Sequence, residues 1–336
     1  MRNTKSRILV WLLVFVMVMS SLPAAVFATE NAVDLKEWNI TLEDNICVNF
    51  YVSIPEADVS TTVVSIEVDG KTTDYNASQA TVKNGNYMFS AEISAAQMNN
   101  DINLTVSTNG TQVYTVTKSV RGYAEYILTG DYADETKDMV KQMLNYGAAA
   151  QTYFKYNTGN LVNSGYGIEN PDNVPDAAQN EFYAKGSLAG MQLYGASLVF
   201  RSKIAVRFYF TAKPEGYTFT VAGEAVTPIE KDGLWYVEVD GINPQDYEIQ
   251  SVVKVTDGNG NELEVGYSPM NYIVRMYNKD KEELKPLLLA LYNYHLEAIA
   301  YQTYLDNQPV EPDVPDETVG EPVVGVVPGE EFNPFG

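Results

Sequence analysis

Hydrophobic and polar residues alternate along Asn45-Ile-Cys-Val-Asn-Phe-Tyr-Val52, and the alternation returns 158 residues later in Lys203-Ile-Ala-Val-Arg-Phe-Tyr-Phe210. Successive side chains of a strand point to opposite faces, so Ile46, Val48, Phe50 and Val52 share one side, as do Ile204, Val206, Phe208 and Phe210. These are the expected core faces. The partner faces carry Asn49 with Tyr51 and Arg207 with Tyr209, a pattern that fits a sheet with one buried face.

The correspondence continues downstream. Val64, Ile66, Val68 and Gly70 align with Tyr217, Phe219, Val221 and Gly223, then Asn84-Gly85, Tyr87, Phe89 and Ala91 with Asp232-Gly233, Trp235, Val237 and Val239. The offset drifts from 158 to 153 to 148, and it changes only between strands, where turns absorb length. Asn109-Gly110 and Asp257-Gly-Asn-Gly260 supply turn chemistry for a last hairpin in each half.

After the strands the period lengthens. Ser119 to Leu128 and Ser268 to Tyr277 read as short helices, each followed by a break. A longer helix follows in each half. Its apolar stripe is Val140, Met143, Leu144, Gly147, Ala150 and Phe154 in the first, and Leu284, Leu287, Leu288, Leu291, Tyr294, Ala298 and Leu305 in the second. Asp134 and Asp280 suit N-caps, and Pro286 places the regular part of the last helix from about Lys285. The run Gly147-Ala-Ala-Ala150 permits close backbone approach, whereas His295-Leu-Glu297 in the second half does not, so the packing of the two must differ.

The expected fold is therefore α+β, with two related modules, each a small antiparallel Ig-like or sandwich-like sheet followed by a helical hairpin. The modules span 29–157 and 187–307, with 158–186 between them, rich in Asn, Gly and Pro, as a linker. Residues 308–336 hold six prolines, seven acids and no basic residue, and read as a disordered or extended tail.

Residues 1–28 carry Arg2, Lys5 and Arg7, an apolar run from Ile8 to Met19, and small residues before the Ala28 boundary: a cleavable secretory signal. The expected location is outside the cell, with possible attachment at its surface left open by the sequence, and no membrane insertion once the signal is gone. The net charge is −22; losing the signal removes three basic and no acidic residues, leaving 19 basic against 44 acidic, or −25. Such a balance argues against nucleic acid and anionic lipid as partners.

The run Leu144-Asn-Tyr-Gly-Ala-Ala-Ala-Gln-Thr-Tyr-Phe154, together with Ser197 to Phe210, resembles a module of exported, often multidomain proteins of anaerobic gut Firmicutes. The resemblance covers most of residues 33–307 and implies β-rich blocks paired with helices that end in an Asn-Tyr-Gly-Ala-Ala-Ala-like motif. It brings no activity and no catalytic residue with it, and it departs at His295-Leu-Glu297.

One histidine and one cysteine leave little room for a His-ligated metal or a Cys-His couple, and no phosphate-binding glycine loop or Gly-x-Ser-x-Gly is present. No metal and no cofactor is expected. His295 reads as a partly buried or solvent-facing helix residue, and Cys47 as a buried small hydrophobe. The acid pairs Glu43-Asp44, Asp134-Glu135 and Glu282-Glu283 sit where strand starts and helix N-termini already explain them. Asp257 to Glu264 resembles a calcium loop superficially but lacks an acid at the twelfth position, and reads as a hairpin turn.

Aromatics are the more suggestive class, with 24 tyrosines. Tyrosine gives stiff, amphipathic contact area suited to protein and sugar surfaces. The candidate ligand-binding residues are Tyr51, Tyr209 and Arg207 on the strands and Tyr301 and Tyr304 on the final helix. The sequence favours a non-catalytic binding or interaction protein with an extracellular protein or glycan as partner. A structural extracellular spacer and a secreted hydrolase using a carboxylate pair are the alternatives.

Overall fold

The computed structural model describes residues 14–17, 32–42, 46–166, 174–176, 182–200 and 203–308. Most of the expected export signal, Glu43-Asp44, much of the expected linker and nearly all of the expected tail lie outside them. The described chain is mixed α+β, with four antiparallel sheets and four helices.

The first half holds β1 (Val14–Met17), β2 (Asp34–Leu42), β3 (Ile46–Ser53), β4 (Thr62–Val68), β5 (Lys71–Asn76), β6 (Thr81–Lys83), β7 (Asn86–Ile93), β8 (Ile102–Thr108) and β9 (Thr111–Lys118). Helices α1 (Val120–Thr129) and α2 (Asp134–Phe154) close it. The second half holds β10 (Tyr183–Gly186), β11 (Leu193–Phe200), β12 (Ile204–Phe210), β13 (Tyr217–Val221), β14 (Glu224–Val226), β15 (Ile229–Lys231), β16 (Leu234–Val239), β17 (Ser251–Asp257) and β18 (Glu262–Tyr267). Helices α3 (Pro269–Tyr277) and α4 (Lys285–Asp306) follow.

Four strands pair in the order β2-β3-β7-β6 in one sheet of the first half and β5-β4-β8-β9 in the other. The second half repeats both orders, as β11-β12-β16-β15 and β14-β13-β17-β18. The halves differ in the strand added at an edge: β1 lies beside β2, whereas β10 lies beside β18. β10 falls within the span that composition reads as linker.

Local chemistry explains the strands and turns. Val48, Phe50 and Val52 of β3 and Val206, Phe208 and Phe210 of β12 have no exposed surface, as their alternation requires. The two-residue turns Asn84-Gly85 and Asp232-Gly233 both have positive φ at each residue, 50° and 75° in one and 52° and 80° in the other. This is the hairpin geometry that matches strand twist, and Asn, Asp and Gly tolerate it best. At the Asp257 turn, the carboxylate accepts from the Asn259 and Asn261 backbone N–H groups, both at 2.9 Å, and from the Asn261 amide. Those donors hold the Asp257 carboxyl below the usual range, with the Asn261 amide contributing most.

Ser119 caps α1 by accepting from the Gly122 N–H at 3.0 Å, and Ser268 caps α3 in a reciprocal box with Asn271. The longer helices start differently from the sequence expectation. Asp134 is the first residue of α2 and Ala133 its cap residue; α4 is capped at Leu284, with Pro286 in its first turn, and Asp280 lies upstream of it.

Residues 142–148 of α2 are buried around the whole helix, not on one stripe alone. The surrounding surface comes from α1, α4, the Ala95–Gln97 turn and the chain after α2. That chain, read from sequence as linker, is tied down at its start. Val162 is fully buried, its N–H donates to Gln151 Oε1 at 2.8 Å, and Arg121 donates to the carbonyls of Leu161, Val162 and Ser164. Phe154, placed on the apolar stripe by periodicity, is half exposed in the last turn of the helix, just before the left-handed cap residue Lys155.

Helices α2 and α4 pack together, and the equivalent tyrosines Tyr146 and Tyr294 stack with ring centroids 6.0 Å apart and planes 14° from parallel. A single apolar core therefore runs through both halves. One position after each tyrosine the halves diverge. A Cβ added to Gly147 would lie 2.8 Å from Met98 Sδ, 2.9 Å from Val162 Cγ1 and 3.2 Å from the Ala95 carbonyl oxygen. His295 fills the matching place in α4. It is fully buried, contrary to the sequence expectation, with Nδ1 2.6 Å from the Pro244 carbonyl and its ring stacked on Tyr247 at 5.6 Å. Its neighbours Pro244 and Tyr247 stand in the places of Ala95 and Met98, one offering a backbone carbonyl to the ring and the other a stacking face.

Burial holds the His295 pKa below its ordinary 6.5, against the opposing pull of the Pro244 carbonyl, Glu248 and Asp246. A base depressed in the folded state binds fewer protons there than in the unfolded chain. Its stabilising contribution is therefore complete above about pH 6.5 and is lost as pH falls through the lower, folded value. Thermal unfolding at about pH 7 and pH 5.5 should show a larger loss for the natural chain than for His295→Gln. Equal losses would mean that His295 takes up its proton without cost in the folded state.

Candidate functional site

The five residues singled out from sequence do not form one surface. Tyr51 is 5 % exposed: Asn39 Nδ2 donates to its hydroxyl at 3.2 Å and Lys83 Nζ lies 5.9 Å from its ring centroid. Tyr301 has no exposed surface, so the final helix offers a ligand only the part-exposed Tyr304, stacked on Tyr301 at 6.3 Å. Arg207 is 6 % exposed; its Nε donates to Glu238 Oε2 at 2.5 Å, and its guanidinium lies 4.5 Å over the Tyr236 ring. Tyr209, part-exposed, leans on Tyr236 at 5.8 Å.

Alternation placed these strand residues on the correct face. It could not show that neighbouring side chains lie down over them. Asn39, Asn49 and Ser90 form a hydrogen-bonded row on the outer face of the β2-β3-β7 sheet, where Ser197, Arg207 and Glu238 stand in the second half. A cation already held by a carboxylate and covered by a ring is poorly placed to take a ligand. Cys47 also departs from the reading. It points away from the core with Asn49 and Tyr51 and lines an open groove of about 790 Å³ beside the part of β7 that β6 leaves uncovered.

A different location recurs in both halves. In the first, a cleft of about 270 Å³ is bounded by Trp38 of β2, Asp101 just before β8, Thr117 and Lys118 at the end of β9, the cap Ser119, and Gly122 and Tyr126 of α1, so that an acid stands among its walls with Lys118. In the second, a cleft of about 470 Å³ is bounded by Leu193 to Ala196 of β11, Tyr267 at the end of β18, and Asn271, Val274 and Arg275 of α3, with Phe182 at its rim. The positions correspond. Trp38 pairs with Phe50 as Ala196 pairs with Phe208, and Lys118 and Tyr267 each directly precede the serine that caps a helix.

Both clefts combine aromatic walls with a cation. Lys118 Nζ lies 4.9 Å from the Trp38 ring, and burial lowers its pKa. Trp38 is 5 % exposed, stands edge-on to Tyr123 at 5.3 Å, and its buried Nε1 makes no hydrogen bond. In the second cleft the floor is Tyr267, 3 % exposed, whose buried hydroxyl has Arg275 as its polar neighbour. Burial raises the Tyr267 pKa, and the charge of Arg275 partly offsets it.

Sequence reasoning missed Trp38, Phe182, Tyr194, Tyr267 and Arg275. The available signal was positional: in each half an aromatic or cationic residue ends the last strand just before a serine cap.

Among the described residues, no group of three or more His, Cys, Asp or Glu side chains is placed to hold a metal, and no helix is long and apolar enough to cross a membrane. Asp134 and Glu135 are exposed in the first turn of α2, and Glu282 pairs with Lys285 at 2.6 Å. No family model matches the chain, and comparison with curated proteins gives no match.

Proposed function

We propose that this chain is an exported, non-catalytic binding protein that acts outside the cell or at its surface on a glycan or protein ligand. The observation that carries the reading is the recurrence of one cleft, aromatic-walled and cationic, at equivalent places in both halves. Ligand sites favour concave, largely apolar surfaces with a few convergent polar groups. Two weak sites in one chain also bind a multivalent surface more tightly than either alone.

On this reading the chain is one Ig-like module used twice, each closed by a helical hairpin, and kin to the exported module that Leu144 to Phe154 resembles. The strand orders support it, since β2-β3-β7-β6 with β9-β8-β4-β5 follows the A-B-E-D and G-F-C-C′ arrangement of an immunoglobulin sandwich. The leader at residues 1–28 supports export.

The purified chain should be retained on a glycan array or by an immobilised extracellular protein, and the double variant Tyr126→Ala/Tyr194→Ala should lose that retention without a change in melting temperature. Tyr126 and Tyr194 are 42 % and 69 % exposed, so neither substitution opens the core. No retention on either surface would sink the binding reading in favour of a spacer.

A further inference from the structure

We propose that the cleft of the second half binds an anionic pyranose, with the sugar ring against Tyr194 and Phe182 and its carboxylate or sulfate on Arg275. This inference rests on the binding reading above and names the class of ligand.

The cleft has three parts with separate roles. Its rim is aromatic and open: Tyr194 is 69 % exposed and Phe182 is 47 % exposed. Large rings left in water are the surfaces on which the apolar face of a sugar ring stacks, while the sugar hydroxyls stay solvated. An apolar side chain of a peptide would gain more from an enclosed pocket than from such a shelf. Phe182 makes an edge contact with Tyr267 at 5.9 Å, which ties one side of the rim to the floor.

The floor is set by packing. Tyr267 lies beneath the cleft with its hydroxyl buried and Arg275 as its polar neighbour. Beside it the Asn271 Oδ1 is already occupied, accepting from the Ser268 N–H at 2.8 Å and from Gln250 at 3.0 Å.

The third part is charge. Arg275 lies in the last turn of α3, exposed, and makes no ion pair among the described residues. Arg207, by contrast, is neutralised by Glu238. The long-range field of a chain of net charge −22 repels anions, but it is screened beyond about 8 Å at physiological salt. A guanidinium within hydrogen-bond reach of a carboxylate or sulfate makes a paired, charge-assisted contact that the distant acids do not cancel. A volume of about 470 Å³ accommodates one or two pyranose rings, within the ordinary range of small-ligand sites.

Titration calorimetry on the full chain tests this, with glucuronic acid, trigalacturonate and galactose 6-sulfate set against glucose and galactose. The acidic sugars should bind and the neutral ones bind at least about tenfold more weakly; Arg275→Gln should cost the acidic sugars about tenfold, and Tyr194→Ala should weaken both classes. Carboxylated sugars alone binding would assign a carboxylate, and sulfated sugar alone a sulfate ester. Equal affinity for neutral sugars, or an Arg275→Gln variant with unchanged affinity, would overturn the anionic assignment while leaving a glycan-binding protein. Benzoate competing as well as glucuronic acid would overturn the sugar in favour of an aromatic carboxylate. Binding of protein but of no sugar would overturn the inference alone, and absence of any ligand would overturn the binding reading with it.

Discussion

Replacing Tyr294 by alanine should destabilise the chain by about 3–5 kcal/mol and lower its melting temperature by on the order of 10 °C. Tyr294 is 4 % exposed and stacked on Tyr146, also 4 % exposed, where α4 meets α2. Truncation removes a buried ring and leaves a void between two helices that pack on each other, on α1 and α3 and on the 95–97 and 244–246 turns, so the site cannot collapse freely to fill it. Burial pushes both phenol pKa values well up, and Tyr146 adds to the effect on Tyr294, consistent with a pair shut off from water. The double variant Tyr146→Ala/Tyr294→Ala should cost less than the sum of the singles, because stacked aromatic pairs contribute about 0.5–1.5 kcal/mol beyond their area. Urea and thermal melts check this. A loss under about 1 kcal/mol for Tyr294→Ala would mean that the helices do not close on each other there.

Gly147→Leu should cost about 3 kcal/mol or more, and Gly147→Ala much less. Alanine gains about 1 kcal/mol of helix propensity over glycine, which offsets part of the crowding. Its Cβ contacts are Met98 Sδ, the far end of a flexible side chain that can shift, and the buried, β-branched Val162 and the Ala95 carbonyl at 3.2 Å, which give less readily. Leucine adds three carbons where there is no room, so either the Ala95–Gln97 turn or the Val162 segment must leave the helix. Equilibrium unfolding of both variants, with limited proteolysis of residues 155–166, distinguishes these routes. Unchanged stability in Gly147→Leu would mean that α2 does not press on that turn. At the matching position of the second half, His295 lies between the Pro244 carbonyl and the Tyr247 ring.

Much of the core was legible because alternation is a local property. Val48, Phe50, Val206 and Phe208 could be placed from their spacing alone, and the short helices from their serine caps. Parity also contained the answer for Cys47, since a residue adjacent to inward-facing Val48 must face out. Tyr51 and Tyr301 were beyond its reach. Their burial depends on Lys83, Asn39 and neighbouring elements that only the fold brings near. His295 was misread for the same reason, because nothing in α4 announces Pro244 and Tyr247. The clefts are less legible still. Trp38 meets Tyr126 across most of one half, and Tyr194 shares a cleft with Arg275 across most of the other. No periodicity spans such separations, and an indole N–H without a partner is visible only once every neighbour is in place.

The tyrosine pair between α2 and α4 joins equivalent positions, so each contributes to the other the surface that it receives. Self-complementarity of this kind is what a two-fold homodimer uses. A lone unit would have to find its counterpart by diffusion, and its assembly would fail on dilution. Joined covalently, the two surfaces meet at an effective concentration in the millimolar range for a short tether, however dilute the protein itself.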